Sequence, residues 1–161
     1  MESLLDELRR EHDRYFGWSL ACCAWQADVA EEVLQEAYLR VLDGRAKFAG
    51  RSRAGTWFCG VIRRVAAESR RARARRNLLG LRLVGEQADA LAVQGDALEG
   101  AQADESVAAL RAALLQLSQR QREILHLVFY SELTVEEAAE ALGISTGSAR
   151  THYHRGKQRL G

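Results

Sequence analysis

Two capping boxes in the last third of the chain constrain its fold more than any other sequence feature. Ser118 with Gln121, and Thr134 with Glu137, have the spacing at which two side chains and two backbone N–H groups pair reciprocally at a helix start. The chain also contains no Pro, which a β-rich fold would normally use in its turns. The segment is therefore predicted to form short helices joined by tight turns.

The helix that starts at Thr134 is predicted to be the first half of a helix-turn-helix. Gly143 suits a left-handed helix end, Ser145 can cap the next helix, and Ala138 lies where the two helices would approach. The outward residues of the last helix are short hydroxyls and bases, as in a helix that reads base edges in the major groove. They are Thr146, Ser148, Arg150, Thr151, His154 and Arg155. A plain helical hairpin with a polar face is the alternative interpretation.

The first half of the chain predicts three further helices, at residues 4–25, 28–42 and about 54–76. The second has an apolar stripe on one face, and Asp28 with Glu31 has capping-box spacing at its start. On its other face Leu39 lies among acids, which is typical of a partner-binding helix. The third helix is predicted to be buried on one side and cationic on the other.

Charge is distributed very unevenly along the chain. The formal net charge is only +1, but residues 1–39 carry −6, residues 40–82 carry +11, and residues 83–105 carry −6. All seven basic residues between positions 63 and 76 are Arg. The planar guanidinium of Arg presents a fork of donors that matches phosphate. This block favours contact with a nucleic acid or another polyanion over a solvated helix face.

These patterns together predict an all-α protein with two small helical domains. Residues 1–77 form the first domain, residues 78–105 a flexible acidic linker interrupted by Gly, and residues 106–161 the second domain, which contains the helix-turn-helix. No apolar run approaches the roughly 18 residues of a membrane span. No signal-peptide pattern is visible, and three Cys at unrelated spacings favour a reducing, cytoplasmic location.

Catalysis and metal binding are disfavoured by the same sequence. Glu32 and Glu36 share a helix face and His126 follows much later, but no Gly-rich phosphate loop, ligand cluster or nucleophile–base pair accompanies them. His152 and His154 are two residues apart and so do not share a helix face. We expect no enzyme activity, no metal and no cofactor. A free-standing helix-turn-helix regulator is the alternative function, although no dimerisation heptad is visible.

Three stretches resemble a known family. They are DVAEEVLQEAYLRVL at Asp28–Leu42, FAGRSRAGTWFCGVIRRVAAESRRARARR at Phe48–Arg76, and LSQRQREILHLVFYSELTVEEAAEALGISTGSARTHYHRGKQRL at Leu117–Leu160. Their order and spacing resemble the extracytoplasmic-function (ECF) group of bacterial RNA polymerase sigma factors. The resemblance covers most of the chain outside residues 78–105.

The resemblance implies a transcription-initiation factor that binds core RNA polymerase and promoter DNA. The Asp28–Leu42 helix would dock on the clamp of the largest polymerase subunit, and the second domain on the flap. The implied docking residues are Asp28, Glu31, Glu32, Gln35, Glu36 and Leu39. The resemblance also implies a cognate anti-sigma factor, and an acidic linker that passes toward the RNA exit path.

The resemblance divides the promoter contacts between the two domains. Residues matching the segment that melts and reads the −10 element are Phe48, Arg51, Ser52, Arg53, Trp57, Arg63, Arg64, Arg70 and Arg71. Trp57 also has the spacing of a core residue. Contacts to the −35 element are expected from Thr134, Ser145 and the outward residues of the last helix. Arg64 and Glu68 stand where many members have Asn or Asp, and Arg favours phosphate or guanine over the base edges that Asn reads.

Overall fold

A computed structural model describes residues 2–83 and 105–161 of the chain. These residues form helices and connecting turns without a β-strand, which confirms the all-α prediction. The helices are α1 (Glu2–Arg10), α2 (His12–Cys22), α3 (Ala27–Leu42), α4 (Ala54–Leu83), α5 (Glu105–Leu115), α6 (Gln119–Phe129), α7 (Val135–Leu142) and α8 (Thr146–Leu160). No described helix is long and apolar enough to cross a membrane.

Helices α1–α4, here called the N-terminal helices, pack around large side chains. Trp18, Phe58 and Ile62 are completely buried, and burial of such apolar surface is the main force that holds helices together. The indole N–H of Trp18 donates to the carbonyl of Cys59 at 3.0 Å, which ties α2 to α4. The hydroxyl of Ser19 donates to the carbonyl of Ala30 at 2.7 Å, which ties α2 to α3.

Three local predictions for these helices need correction. The helix predicted over residues 4–25 is divided at Glu11 into α1 and α2. Helix α3 begins at Ala27 with Gln26 at the N-cap and no side-chain cap, so Asp28 is not the cap but lies in the first turn. There its charge still favours the positive end of the helix dipole. Helix α4 continues to Leu83, so residues 78–83, predicted as linker, are helical.

Helices α5–α8, here called the C-terminal helices, follow the predicted caps closely. Both capping boxes form, with Gln121 N–H to Ser118 Oγ at 3.3 Å and Glu137 N–H to Thr134 Oγ1 at 3.1 Å. Ser145 Oγ accepts the N–H of Ser148. Helix α5 begins at Glu105, the last residue of the predicted linker. Residues 84–104 of that linker lie outside the described residues.

Small residues allow α6, α7 and α8 to approach closely. Ala138 and Ala149 are completely buried, as predicted for Ala138 at the helix-turn-helix contact. A Cβ added at Gly156 would lie 2.9 Å from Cδ1 of Leu125, so a larger residue there would force Leu125 to shift. These contacts hold α8 with its polar residues directed away from the core.

Gly143 ends α7 in the left-handed conformation, with φ +63°. Replacing Gly143 with Ala is expected to lower the free energy of unfolding by about 1 kcal/mol, because Cβ disfavours this conformation. Gly147 is the matched control: it lies in the first turn of α8 with open space around it, so Ala there should be neutral or stabilising. Urea unfolding of both variants checks this, and equal effects would contradict it.

The N-terminal and C-terminal helices contact each other directly. Helix α7 packs along α4, and α6 packs against α2. A Cβ added at Gly60 on α4 would lie 3.4 Å from the carbonyl oxygen of Ala141 on α7. At Gly17 on α2, an added Cβ would lie 2.6 Å from the ring of Tyr130. In the described structure the two sets of helices therefore pack directly on each other. Gly17 and Gly60 of the N-terminal helices lie at this contact.

Candidate nucleic-acid and partner interface

The outer face of α3 carries the six residues predicted to dock a partner. Leu39 is 52% exposed, although it is apolar, and Asp28, Glu31, Glu32 and Gln35 are also exposed. An exposed leucine within an acidic surface is suited to a partner with an apolar centre and a basic rim. The structure thus brings this predicted set together on one helix face.

Glu36, the remaining member of that set, is half-buried and held by two arginines. Its Oε1 accepts from Arg40 Nε at 2.9 Å and from Arg45 Nη1 at 3.0 Å. The hydrogen bond from Arg40, followed by that from Arg45, holds the pKa of Glu36 below its ordinary value. Arg40 also donates to Glu68 on α4 at 2.6 Å. The docking face is thus braced against α4 by an ion-pair network.

The Arg block lies on α4, and most of its predicted DNA contacts are solvent-exposed. Arg64, Arg70 and Arg71 are exposed on the helix. Arg51 and Arg53 are exposed in the loop before it. Exposed guanidinium groups along one helix and its preceding loop can follow a phosphate backbone.

An aromatic pair connects that loop to α4. The rings of Phe48 and Trp57 lie 5.2 Å apart, and Trp57 is also 6.4 Å from Phe58 in the core. Both Phe48 and Trp57 are half-buried, as is Ser52. Trp57 therefore packs against the core, as its spacing predicts, and also contacts Phe48; its predicted DNA contact stays a prediction.

Helix α8 presents the predicted base-reading residues on its outer face. Ser145, Ser148, Arg150, Thr151, His154 and Arg155 are exposed, Thr146 is half-buried, and Thr134 is exposed at the start of α7. Arg150 Nη2 donates to Glu136 Oε1 on α7 at 2.8 Å, which orients the guanidinium. This pair lowers the pKa of Glu136. The ammonium of Lys157 lies 5.2 Å from the ring centroid of Tyr153, a cation–π contact.

Arg63 is the member of the block that solvent reaches least. Its Nε lies 3.9 Å from Oε2 of Glu123 on α6, and burial lowers its pKa. Glu123 is only 3% exposed and also accepts from Arg120 at 2.8 Å. The structure therefore places one predicted DNA contact inside the boundary between the N-terminal and C-terminal helices, here called the seam.

Sequence reasoning did not predict the contacts across the seam. His126 on α6 lies against Trp18, at 5.6 Å between ring centroids, and burial lowers its pKa to about 4. Beside Arg63, a cavity of about 300 Å³ lies between α4 and α7, with Arg64 and Trp57 on one wall and Glu140 on the other. No sequence signal predicts that these residues contact each other, because the partners are far apart along the chain.

The cysteines do not form a reactive site. Cys22, Cys23 and Cys59 are buried free thiols. Burial raises the pKa of all three, to about 12 for Cys59, so they are held as thiols that pack like small apolar residues. Within residues 2–83 and 105–161, no cluster of His, Cys, Asp and Glu is arranged to hold a metal ion.

Two family models match the chain in the order that the resemblance implies. Residues 8–76 match sigma-70 region 2, and residues 108–160 match sigma-70 region 4. The first match spans α2, α3 and most of α4, with the docking face and the Arg block. The second contains the helix-turn-helix of α7 and α8.

The chain is also similar to a curated protein and to a solved structure. The ECF RNA polymerase sigma factor SigX of Bacillus subtilis is 34% identical over 136 residues, which cover 78% of this chain and 66% of that protein. The chain thus spans just under two thirds of that relative. The sigma factor RpoE from Bartonella quintana, in co-crystal with the anti-sigma factor NepR, has a TM-score of 0.72 at 20% identity. The likeness covers 99% of this chain and 95% of that one. At this level of sequence identity it shows a shared fold alone.

Proposed function

This chain belongs to the ECF group of the sigma-70 family of RNA polymerase sigma factors, and we propose that it binds core RNA polymerase, directs it to specific promoters and helps to open their −10 region. The observation that carries the proposal is the combination of regions 2 and 4 in one chain with two separate exposed surfaces. The docking face of α3 suits a protein, and the bases of α4 and α8 suit DNA.

The proposal divides the chain into three parts. Residues 1–77 form the domain that docks on the polymerase clamp and handles the −10 element, residues 78–105 link the domains, and residues 106–161 form the domain that reads the −35 element and contacts the flap. Each part is proposed to work on a larger assembly, without enzyme activity of its own, in the cytoplasm. Control by a cognate anti-sigma factor belongs to the same proposal.

Promoter opening follows from the chemistry of the Arg block. Arg64, Arg70 and Arg71 would hold the phosphates of the non-template strand, which is a sequence-independent contribution to affinity. A base that leaves the stack needs a pocket or an aromatic surface in compensation. The half-buried pair of Phe48 and Trp57, beside the loop of Arg51 to Arg53, would provide that surface.

Recognition of the −35 element would depend on α8. Its N-terminal residues, with Arg150 oriented by Glu136, would enter the major groove, while the N-cap residues Thr134 and Ser145 would lie near phosphates. A helix N-terminus favours phosphate because its free N–H groups and dipole point toward it. Replacing Arg150 with Ala should then reduce discrimination between promoters that differ in the −35 element, at a cost of about 1–3 kcal/mol for a bidentate base contact.

Core binding can be tested on the docking face. Replacing Glu36 and Leu39 together with Ala is expected to weaken binding to core polymerase at least roughly tenfold, because an exposed apolar anchor and its charged neighbour are lost. The matched control replaces Leu42 and Asp43 with Ala: Leu42 is 50% exposed and Asp43 pairs with Arg45, but neither is in the proposed docking set. Fluorescence anisotropy of labelled protein titrated with core polymerase measures both. Unchanged affinity of the first variant would contradict the docking assignment.

The function as a whole is tested by transcription in vitro. Core polymerase with and without this protein is supplied with a genomic promoter library, and transcript start sites are mapped. The proposal expects start sites that appear only when the protein is added and that share upstream elements. An absence of specific start sites would overturn it.

A further inference from the structure

A single acidic residue lies within the Arg block. Glu68 is the one acid between residues 63 and 76, where every base is Arg. It is exposed on α4 and shares a helix face with Arg64, four residues before it, and with Arg71, three residues after it. A carboxylate at this position can repel a phosphate, and it can also pair with the two arginines that are proposed to bind one.

In the described structure Glu68 pairs with neither of these arginines, and Arg40 of α3 holds it instead. Arg40 Nη2 donates to Glu68 Oε2 at 2.6 Å, and this hydrogen bond is the main reason that the pKa of Glu68 lies below its ordinary value. Arg64 points toward the preceding turn of α4, where its Nε donates to the carbonyl of Gly60 at 3.4 Å. Arg64 and Arg71 therefore keep exposed guanidinium groups that no carboxylate of their own helix holds.

The orientation of Arg40 is fixed from two sides. Its Nε donates to Glu36 Oε1 at 2.9 Å while its Nη2 reaches Glu68, so one planar guanidinium joins carboxylates on two helices. Arg45 Nη1 donates to the same oxygen of Glu36 at 3.0 Å, which keeps Glu36 in place.

Burial also favours Arg40 as the partner of Glu68. The side chain of Arg40 is only 23% exposed, whereas Arg64 and Arg71 are exposed. An isolated exposed ion pair contributes little to stability, but charge-assisted hydrogen bonds in a partly buried network are stronger. The network between α3 and α4 therefore determines where the carboxylate of Glu68 points.

We propose that Arg40 is a positioning residue for the DNA surface of α4: it holds Glu68 toward α3 and so leaves Arg64 and Arg71 free to bind phosphate. Without Arg40, Glu68 has these arginines at the spacing where ion pairs form along a helix. The inference rests on the proposed function in one respect, namely that Arg64 and Arg71 contact DNA. The choice of partner by Glu68 is a property of the free chain, so the two claims can fail separately.

The test replaces Arg40 with Gln, alone and together with Glu68→Gln. Arg40 borders an open cavity of about 300 Å³ between α3 and α4, so the shorter side chain creates no closed void. The first control is Arg45→Gln, which removes the same charge from the same network; in the described structure Arg45 pairs with Glu36 and not with Glu68. The second control is Arg40→Gln with Glu7→Gln, which removes an exposed acid from α1 instead.

Two measurements are made on the full chain. Nitrogen NMR of the arginine Nε–H groups, assigned with Arg64→Lys and Arg71→Lys, reports whether either guanidinium pairs with a carboxylate. Anisotropy of a fluorescein-labelled, mixed-sequence single-stranded DNA at several salt concentrations gives the affinity and the slope of log K against log salt. Circular dichroism checks that the helix content of each variant is unchanged.

The expected result is a loss with Arg40→Gln that Glu68→Gln reverses. With Arg40→Gln alone, the Nε resonances of Arg64 and Arg71 should shift. The affinity for the single strand should fall about fivefold, and the slope should fall by about 0.7 for each arginine withdrawn from phosphate. Adding Glu68→Gln should restore all three, because the competing carboxylate is gone. The first control should keep the parent slope, and the second should keep the losses of Arg40→Gln.

Three results would overturn the positioning role. One is an Arg40→Gln variant that retains its helix content and shows unchanged resonances, or unchanged affinity where the parent binds the single strand. Another is an equal fall in slope with Arg45→Gln. The third is recovery with Glu7→Gln that is as complete as with Glu68→Gln, because net charge would then explain the effect.

The remaining outcomes separate this role from the proposed function. If the resonances shift as expected but neither the parent nor any variant binds the single strand, Arg40 still positions Glu68 and the proposed −10 contacts fail. If Arg40→Gln loses helix content, Arg40→Lys decides. Lys keeps the charge but lacks the guanidinium fork that joins two carboxylates, so the resonances, affinity and slope should change in the same direction, and their constancy would overturn the role.

Discussion

Replacing Trp18 with Ala is expected to lower the free energy of unfolding by about 3–5 kcal/mol, the range for truncation of a large buried aromatic. Trp18 is completely buried, and truncation would leave a cavity and remove the indole N–H that donates to the carbonyl of Cys59 at 3.0 Å. The indole also packs on His126 across the seam. Guanidinium unfolding followed by circular dichroism measures the change.

Trp25 provides the matched control for Trp18. It is 46% exposed in the turn between α2 and α3, where its φ is +63°. Its replacement with Ala removes little buried surface, so the free energy of unfolding should change by less than about 1 kcal/mol. A loss of similar size at both positions would show that burial does not explain the effect at Trp18.

Replacing Arg70 and Arg71 together with Ala is expected to weaken binding to single-stranded promoter DNA about tenfold at 0.15 M salt. Each lost phosphate contact reduces the slope of log K against log salt by about 0.7 for a single strand, so the slope should fall by about 1.4. Both residues are exposed on α4, and their removal should leave the fold intact. Anisotropy titrations at several salt concentrations measure the slope and the affinity.

The control for this prediction removes the same charge elsewhere. Arg9 and Arg10 are exposed at the end of α1, outside the Arg block, so their replacement with Ala should change the slope little. An equal loss of slope in both variants would indicate binding by overall charge rather than by the proposed surface on α4. A loss in neither would contradict phosphate contact at Arg70 and Arg71.

The features predicted correctly from the sequence are those that depend on near neighbours. The capping boxes at Ser118 and Thr134 were predicted correctly because each depends only on two residues three positions apart. Gly143 ended α7 for a similarly local reason, since glycine adopts positive φ without strain. The exposed Leu39 on α3 followed from helical periodicity. The two sigma-70 regions were identified for the same reason, because the matching patterns lie within continuous segments.

The incorrect local prediction at Asp28 has a physical cause outside its own helix. Ala24 and Trp25 both have positive φ, and this turn directs the chain so that α3 begins one residue before Asp28, at Ala27. A capping pattern identifies residues able to cap, but the path of the preceding chain selects which residue does so. The prediction that the linker begins at residue 78 is wrong for a comparable reason. The helical pattern of the sequence weakens there, but the helix continues to Leu83.

The sequence by itself determined the helical fold, the caps of the C-terminal helices and the presence of separate acidic and basic surfaces. Only the tertiary structure decided that Arg63 meets Glu123, that Gly17 and Gly60 lie under Tyr130 and Ala141, and that His126 packs against Trp18. The reason is that caps and stripes are set by interactions over three or four residues. Contacts across the seam join residues far apart in the chain, and they exist only when two complete sets of helices pack together.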